Sequence, residues 1–511
     1  MRRYGAPIIA LCILSLLSTL FFITQPAMAQ RLPGSFTPSQ CPDGVLVEGL
    51  WIECGYLTVA ESRRPFNGKT IALAVAIIRS PNPAPDPVVF LTGGPGEAAL
   101  SLAPLIAQSV APVIAQRDLI LVDQRGTGFS QPSLDCITFP NMTAAGFMLG
   151  VTQESERPAL LRLVTDALIE CGLEYEREGV DLSAYNSVEN AADLEDLRIA
   201  LGYETWNLFG ASYGTRLALT AMQYRPETIR SAVLDSTYPL QANFHIDTFL
   251  SFNRSLTRLF DACAADPDCN AAYPNLDVSY DAMVTQLNAA PPAIPIINLE
   301  TGEEIDYIPI TGNDVVSLIF EFFYSTQAIP VIPFLIAETA AGNYEPLSLL
   351  VSSLLASGGG AGGINIGMQF AVQCNEDATF AEPIDFIAAR DANRRTSTLA
   401  FNVLFNEAIL DICDAWGLTN NYPAENQPVR SDVPSLIITG EFDPVTPTQN
   451  AALTAKTLGR NYVIAYPHGG HSPSVSSPCL AQATAAFFND PYQEPDTSCI
   501  AQEAPLPFLV P

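Results

Sequence analysis

The sequence predicts an α/β protein, with a mostly parallel sheet, helices on both faces, and a large, mainly helical cap inserted late in the chain. Three observations predict it. Short, strand-like apolar runs recur at Val88–Leu91, Leu119–Val122, Trp206–Phe209, Ala232–Leu234, Ser435–Thr439 and Tyr462–Ala465. Continuous apolar strands are those buried on both faces, as in a parallel sheet. Helical patterns separate them, including Val188–Leu201 and Thr215–Tyr224, the rhythm of strand–helix–strand units. The rhythm stops after Pro239 and resumes at Val433, so the residues between belong to an insertion placed over the carboxyl ends of the strands, where ligand sites of such sheets lie.

The elements follow in order. Residues 1–29 have a basic start at Arg2 and Arg3, an apolar core from Ile8 to Ile23, and the small-residue site Ala27-Met28-Ala29. They predict a signal peptide cleaved after Ala29 and a protein that is periplasmic or secreted. No later run is apolar and long enough to span a membrane once the signal is removed. Residues 30–239 are the first part of the α/β domain, opening with β-rich segments at Leu57–Ala60 and Thr70–Ile78 and the stiff connection Pro81–Pro87. Residues 240–430 form the cap, and residues 431–511 return to the sheet.

The chain carries a formal charge of −30, which loss of Arg2 and Arg3 would take to −32. Such a field disfavours nucleic acid and anionic lipid and favours solubility and cationic ligands. Ten cysteines follow residue 29, at 41, 54, 136, 171, 263, 269, 374, 413, 479 and 499. An even number in an exported chain predicts disulfides. Roughly 900 pairings are open; the expectation adopted is neighbours in chain order. No C-x-x-C pair and three histidines in all argue against a zinc site, and no metal or organic cofactor is expected.

Polar clusters follow five of the strands. Gly210-Ala211-Ser212-Tyr213-Gly214 lies between a strand and a helix, the G-x-S-x-G context in which a serine hydroxyl is lifted on a sharp turn. After Val88–Leu91 comes Gly93-Gly94-Pro95-Gly96-Glu97. Its backbone can supply one oxyanion donor, Gly94 first and Gly93 second, with the N–H of Tyr213 as the other. After Leu119–Val122 come Asp123 and Arg125 in a glycine-rich turn, expected to brace loops through buried ion pairs rather than to react. Asp443 follows Ser435–Thr439, and His468 and His471 follow Tyr462–Ala465. A general base needs a histidine within reach of the serine and a carboxylate to hold its tautomer. Chain order Ser…Asp…His and the glycines before His471 favour Ser212, Asp443 and His471 over His468 or the cap's His245.

Together, Gly93-Gly94-Pro95-Gly96, Asp123-Gln124-Arg125-Gly126 and Gly210-x-Ser212-Tyr213-Gly214 resemble the α/β-hydrolase serine peptidases of the prolyl aminopeptidase (proline iminopeptidase) and tripeptidyl aminopeptidase group. Gln373-Cys374-Asn375-Glu376-Asp377, Cys413-Asp414-Ala415-Trp416 and Phe442-Asp443-Pro444-Val445-Thr446-Pro447 are similar to motifs of its secreted tripeptidyl branch. The sequence departs from the group where Glu97 and two alanines follow Gly-Gly-Pro-Gly, and where Ser472 follows His471. The resemblance implies release of amino acids or short peptides from peptides with a free N-terminus. That task needs a carboxylate for the ammonium group, with Glu376 and Asp377 as first candidates and Glu97 and Glu321 behind them. Two other readings use the same residues: an exported carboxylesterase or lipase-like hydrolase, and an inactive binding protein on a hydrolase scaffold.

Overall fold

The computed structural model describes residues 34–136, 156–356, 363–418 and 422–511. The signal-peptide expectation for residues 1–29 lies outside the described residues. No described helix is long and apolar enough to cross a membrane.

Nine strands form one sheet: β1 (Ser35–Ser39), β2 (Trp51–Ala60), β3 (Thr70–Arg79), β4 (Val88–Leu91), β5 (Leu119–Val122), β6 (Trp206–Ala211), β7 (Ile229–Asp235), β10 (Ser435–Gly440) and β11 (Asn461–Tyr466). Their order is β1-β2-β3-β5-β4-β6-β7-β10-β11. Pairing is antiparallel from β1 through β5 and parallel from β5 onward. The alternation of side chains explains the apolar runs. In β4, Val89 and Leu91 face a core shared with Leu194, Leu217 and Met222, whereas Val88 and Phe90 face another with Ile106, Leu480 and Phe487. Helices Ser187–Leu201 and Tyr213–Tyr224 therefore cover one face, and Ala103–Ser109 and Pro478–Asn489 the other, so neither side of the strand tolerates a polar residue.

Between β7 and β10 lies a run of helices with its own apolar core, in which Phe249, Phe252, Val315, Ile319 and Ile332 are fully enclosed. It also holds a two-stranded antiparallel hairpin, β8 (Ala293–Ile297) and β9 (Glu304–Pro309). The helix Arg157–Glu178, which precedes β6 in sequence, packs with this region: Leu168 shares a core with Met368, Phe370 and Ile412. Gly172 permits the contact, since a Cβ there would overlap the Trp416 ring, whose Nε1–H donates to the Leu168 carbonyl at 3.0 Å.

The cysteines pair as neighbours in chain order: Cys41–Cys54, Cys136–Cys171, Cys263–Cys269, Cys374–Cys413 and Cys479–Cys499.

Candidate active site

Ser212 closes the turn from β6 into the helix Tyr213–Tyr224 with φ 56° and ψ −125°. Few non-glycine residues sit there, and the cost is met by the packing around it. Its N–H donates to the Asp235 carbonyl at the end of β7 at 3.0 Å, and its carbonyl accepts from the Thr215 N–H at 2.8 Å. The flanking glycines are sterically required: a Cβ on Gly210 would overlap the Gly214 carbonyl, and one on Gly214 the Leu91 carbonyl. Gly93 approaches from the turn after β4; a Cβ there would lie 3.0 Å from Ser212 Cβ.

Asp443 and His471 come from the ends of β10 and β11. Asp443 Oδ2 and His471 Nδ1 are 2.8 Å apart. The carboxylate is saturated with donors: Oδ1 accepts the N–H of Val445 at 2.9 Å and of Thr446 at 2.8 Å, and Oδ2 accepts the hydroxyls of Thr446 at 2.7 Å and Ser236 at 2.8 Å. Burial alone would raise the Asp443 carboxyl, but His471 and these donors outweigh it and hold it below the usual range. Burial likewise disfavours the imidazolium of His471, yet Asp443 foremost, then Asp235 and Glu97, raise it above the ordinary histidine value. The histidine is braced from both sides. Its N–H donates to the Phe323 carbonyl at 3.3 Å, the Tyr324 ring packs edge-on at 4.9 Å, and Ser472 N–H donates to Ser236 Oγ at 2.7 Å.

Ser212, Tyr213, Gly94 and His471 line one cavity of about 1150 Å³ roofed by the cap. The Gly93 N–H is taken by Glu97 Oε2 at 3.1 Å, whereas the N–H groups of Gly94 and Tyr213 have no partner among the described residues. The other two histidines stand apart. His245 is enclosed in the cap, its Nδ1 2.6 Å from the Leu404 carbonyl, and burial lowers its pKa to about 4. His468 borders a separate surface groove beside Glu503.

The four carboxylates weighed for an ammonium group differ sharply. Glu376 is a correction to the sequence reading: it does not line the cavity but pairs with Arg216 Nε at 2.9 Å and accepts from both the N–H and the hydroxyl of Ser187. A buried guanidinium demanded that carboxylate for itself. Asp377 reaches the cavity but already accepts the Tyr238 hydroxyl at 2.7 Å, with Arg216 3.7 Å away. Glu97 is engaged with Gly93. Glu321 projects into the cavity, its surface open to the cavity interior, with no hydrogen-bond or ion-pair partner for its carboxylate among the described residues, and the protein walls around it raise its pKa to about 7.

Asp123 and Arg125 do not pair with one another. Asp123 accepts the N–H groups of Leu100 and Phe129, each at 2.8 Å. Arg125, fully buried, forks onto Asp193 with two bonds of 2.8 Å and donates to main-chain carbonyls at Ala60, Glu61 and Ala184. Sequence reasoning missed Ser236, Thr446 and Tyr324. Thr446 carried a signal, since a hydroxyl three residues after an aspartate can close a turn onto it; the other two are brought in by tertiary packing. Among the described residues no group of three or more His, Cys, Asp or Glu is placed to hold a metal ion.

Comparison with known proteins agrees with this architecture. Residues 86–268 match the family described as alpha/beta hydrolase fold, and residues 398–499 the family described as TAP-like protein. The tripeptidyl aminopeptidase of Streptomyces coelicolor is 31% identical over 36% of this chain and 35% of its own length. The serine protease Hip1 of Mycobacterium tuberculosis is 27% identical over 43% of this chain and 42% of its own. The chain thus spans less than half the length of these two relatives. A putative hydrolase of Escherichia coli, YuaR, is 21% identical over 87% of both chains. Among solved structures, a proline iminopeptidase from Mycobacterium smegmatis aligns over 86% of this chain and 98% of its own at 15% identity and a TM-score of 0.36. By its strand order, its serine turn and the segment matched over residues 86–268, the chain has the alpha/beta-hydrolase fold, and its residues 398–499 are similar to the TAP-like protein family.

Proposed function

We propose that the protein is an exported serine exopeptidase that releases amino acids or short peptides from free N-termini. The observation that carries this reading is a single cavity holding both a strained serine with a histidine–aspartate pair and an unpartnered carboxylate. Ser212 attacks the carbonyl while His471 takes its proton; Asp443 stabilises the imidazolium, and the N–H groups of Gly94 and Tyr213 receive the oxyanion. His471 then protonates the leaving amine, and water repeats the sequence on the acyl-enzyme. Glu321 is the first choice for the substrate ammonium because it is the cavity carboxylate with no hydrogen-bond or ion-pair partner among the described residues. Glu97 and Asp377 are second choices. Five disulfides support export. The domain limits proposed are a cap over residues 240–430 between hydrolase segments 30–239 and 431–511.

The cavity walls are largely apolar, with Leu318, Phe320 and Leu354 among them, which also suits an esterase. Trapping the intermediate separates the mechanism from the substrate class. Wild type quenched during turnover of a tripeptide ester with a free N-terminus, whose acylation outruns deacylation, should show an acyl group on the Ser212 peptide by mass, and Ser212→Ala should show neither adduct nor product. Product formation by pure Ser212→Ala would end the reading. An adduct from simple esters alone would move the protein to the esterases.

A further inference from the structure

Glu97 stands where the resembling peptidases commonly have a small residue, in the turn that borders the nucleophile. Its carboxylate accepts the Gly93 N–H at 3.1 Å, its carbonyl accepts the Thr92 hydroxyl at 2.9 Å, and its N–H points back to the Gly93 carbonyl at 3.5 Å. Gly93 in turn lies against Ser212. The turn is clamped from the far side by a backbone bridge between Glu97 and Ile364 and by the Asn365 N–H, which donates to the Gly96 carbonyl at 2.9 Å. The Glu97 side chain is half-buried and shares the cavity wall with Ser212 and His471.

A carboxylate in this place has two consequences. It occupies the Gly93 N–H, so the Gly94 N–H is the one left to face an oxyanion. Burial raises the Glu97 carboxyl above the usual range while the Gly93 N–H and His471 draw it back, and in its ionised form it is a negative charge that favours the His471 imidazolium. The groups facing that imidazole are Asp443, Asp235, Glu97 and the Tyr324 ring. Asp443 stays ionised. Asp235, bonded to the N–H and hydroxyl of Ser474, is raised by burial to about 7, which leaves it partly neutral at working pH.

Resting on the serine-hydrolase reading above, we propose that Glu97 is a positioning residue of the reaction. It holds the Gly93 amide so that Gly94 is presented to the oxyanion, and it acts beside Asp443 as a second negative charge that favours the imidazolium formed when Ser212 gives up its proton. Replacing its charge by a neutral amide makes the imidazolium less favourable, so His471 remains a free base to lower pH.

The test is the rate at which a fluorophosphonate labels Ser212, read by intact mass as a function of pH, for wild type, Glu97→Gln and Glu97→Asp. Labelling needs the serine and its base but no knowledge of the natural substrate. Glu97→Gln should move the acid limb down by about half a unit, so that on the acid side it labels about three-fold faster than wild type. Glu97→Asp keeps the charge and should keep the limb. An unchanged limb in Glu97→Gln, with wild-type melting temperature and intact labelling of Ser212, overturns the proposal and spares the hydrolase reading. So does an unchanged limb accompanied by a raised KM for free-amine peptides alone, which would make Glu97 an ammonium acceptor. Failure of wild type to be labelled on Ser212 sinks both.

Discussion

At the scale of single residues, strain and charge are concentrated at one point. Ser212, Ser236 and Ser472 all adopt positive φ, at 56°, 58° and 51°, and hydrogen bonds link two of them to the Asp443–His471 pair. Because His471 must be neutral to act as base and its pKa is raised, chiefly by Asp443 against the opposing effect of burial, kcat/KM should fall on acidification with a midpoint above the ordinary histidine value of about 6.5. A pH–rate profile with its acid limb well below that value would contradict the assignment. Glu321 carries a separable signature. It must be ionised to hold an ammonium group, and its pKa is about 7, so KM for free-amine substrates should rise as pH drops through that region. Glu321→Gln should raise that KM by about ten-fold or more and leave N-acetylated substrates unaffected; equal effects on both classes would remove Glu321 from the substrate site. The placement of Ser212, Asp443 and His471 at strand ends, with Ser212 and His471 on one cavity, was legible in the sequence because each follows an apolar strand run. The choice among carboxylates was not. Nothing in Gln373-Cys374-Asn375-Glu376-Asp377 announces that Arg216, far away in sequence, takes Glu376 at 2.9 Å, nor that Glu321 at the end of the helix Gly312–Phe322 is left alone.

At the scale of elements, backbone proximity decides what is tolerated. The helix after Ser212 runs so close to β4 that Gly214→Ala would drive a methyl into the Leu91 carbonyl. The variant should lose about 3 kcal/mol or more of stability, seen in the urea midpoint. An unchanged midpoint would mean that the turn can open without cost. Arg216 ties the same helix to the cap, stacking over Tyr238 at 5.0 Å while it neutralises Glu376 and donates to the Glu425 carbonyl at 2.9 Å. Arg216→Met strands buried carboxylates and should cost about 3–5 kcal/mol. Strand positions were readable from run length: β4 and β5 coincide with their apolar runs, while β6, β7, β10 and β11 extend past theirs because their ends carry residues such as Gly210, Asp235 and Gly440 that turn or hydrogen-bond at the rim. The hairpin β8–β9 was hidden inside a region that looked mainly helical. Pro295 interrupts the apolar residues of β8, and Glu304, Asp306 and Tyr307 of β9 are exposed, so neither reads as a buried strand.

For the whole molecule, the sheet has a core on each face and the cap has its own, and a fourth apolar cluster, with Tyr213, Met368 and Trp416, joins sheet and cap directly behind the serine. Cys374–Cys413 lies in that joint and closes a loop 39 residues apart in sequence. Replacing both cysteines by serine should lower stability by about 3 kcal/mol and loosen the back wall of the site, so activity should decline below the unfolding midpoint. A variant that loses stability without early loss of activity would show that the joint does not govern the site. Chain-order pairing of cysteines was an accessible expectation because close neighbours meet first. The participation of the helix Arg157–Glu178 in the cap region was not accessible, because its contacts with Trp416 and Ile412 are made across some 240 residues of chain.

Serine-dependent cleavage that requires a free N-terminus is the activity proposed for this cavity. The most direct measurement is kcat/KM for chromogenic tripeptide and single-residue amides, proline among them, each beside its N-acetylated twin, with Ser212→Ala as the blank. The expected result is cleavage of the free forms, loss of nearly all of it on acetylation, and none in the variant. Equal cleavage of free and acetylated forms would contradict the exopeptidase reading, and activity surviving in Ser212→Ala would contradict the site itself.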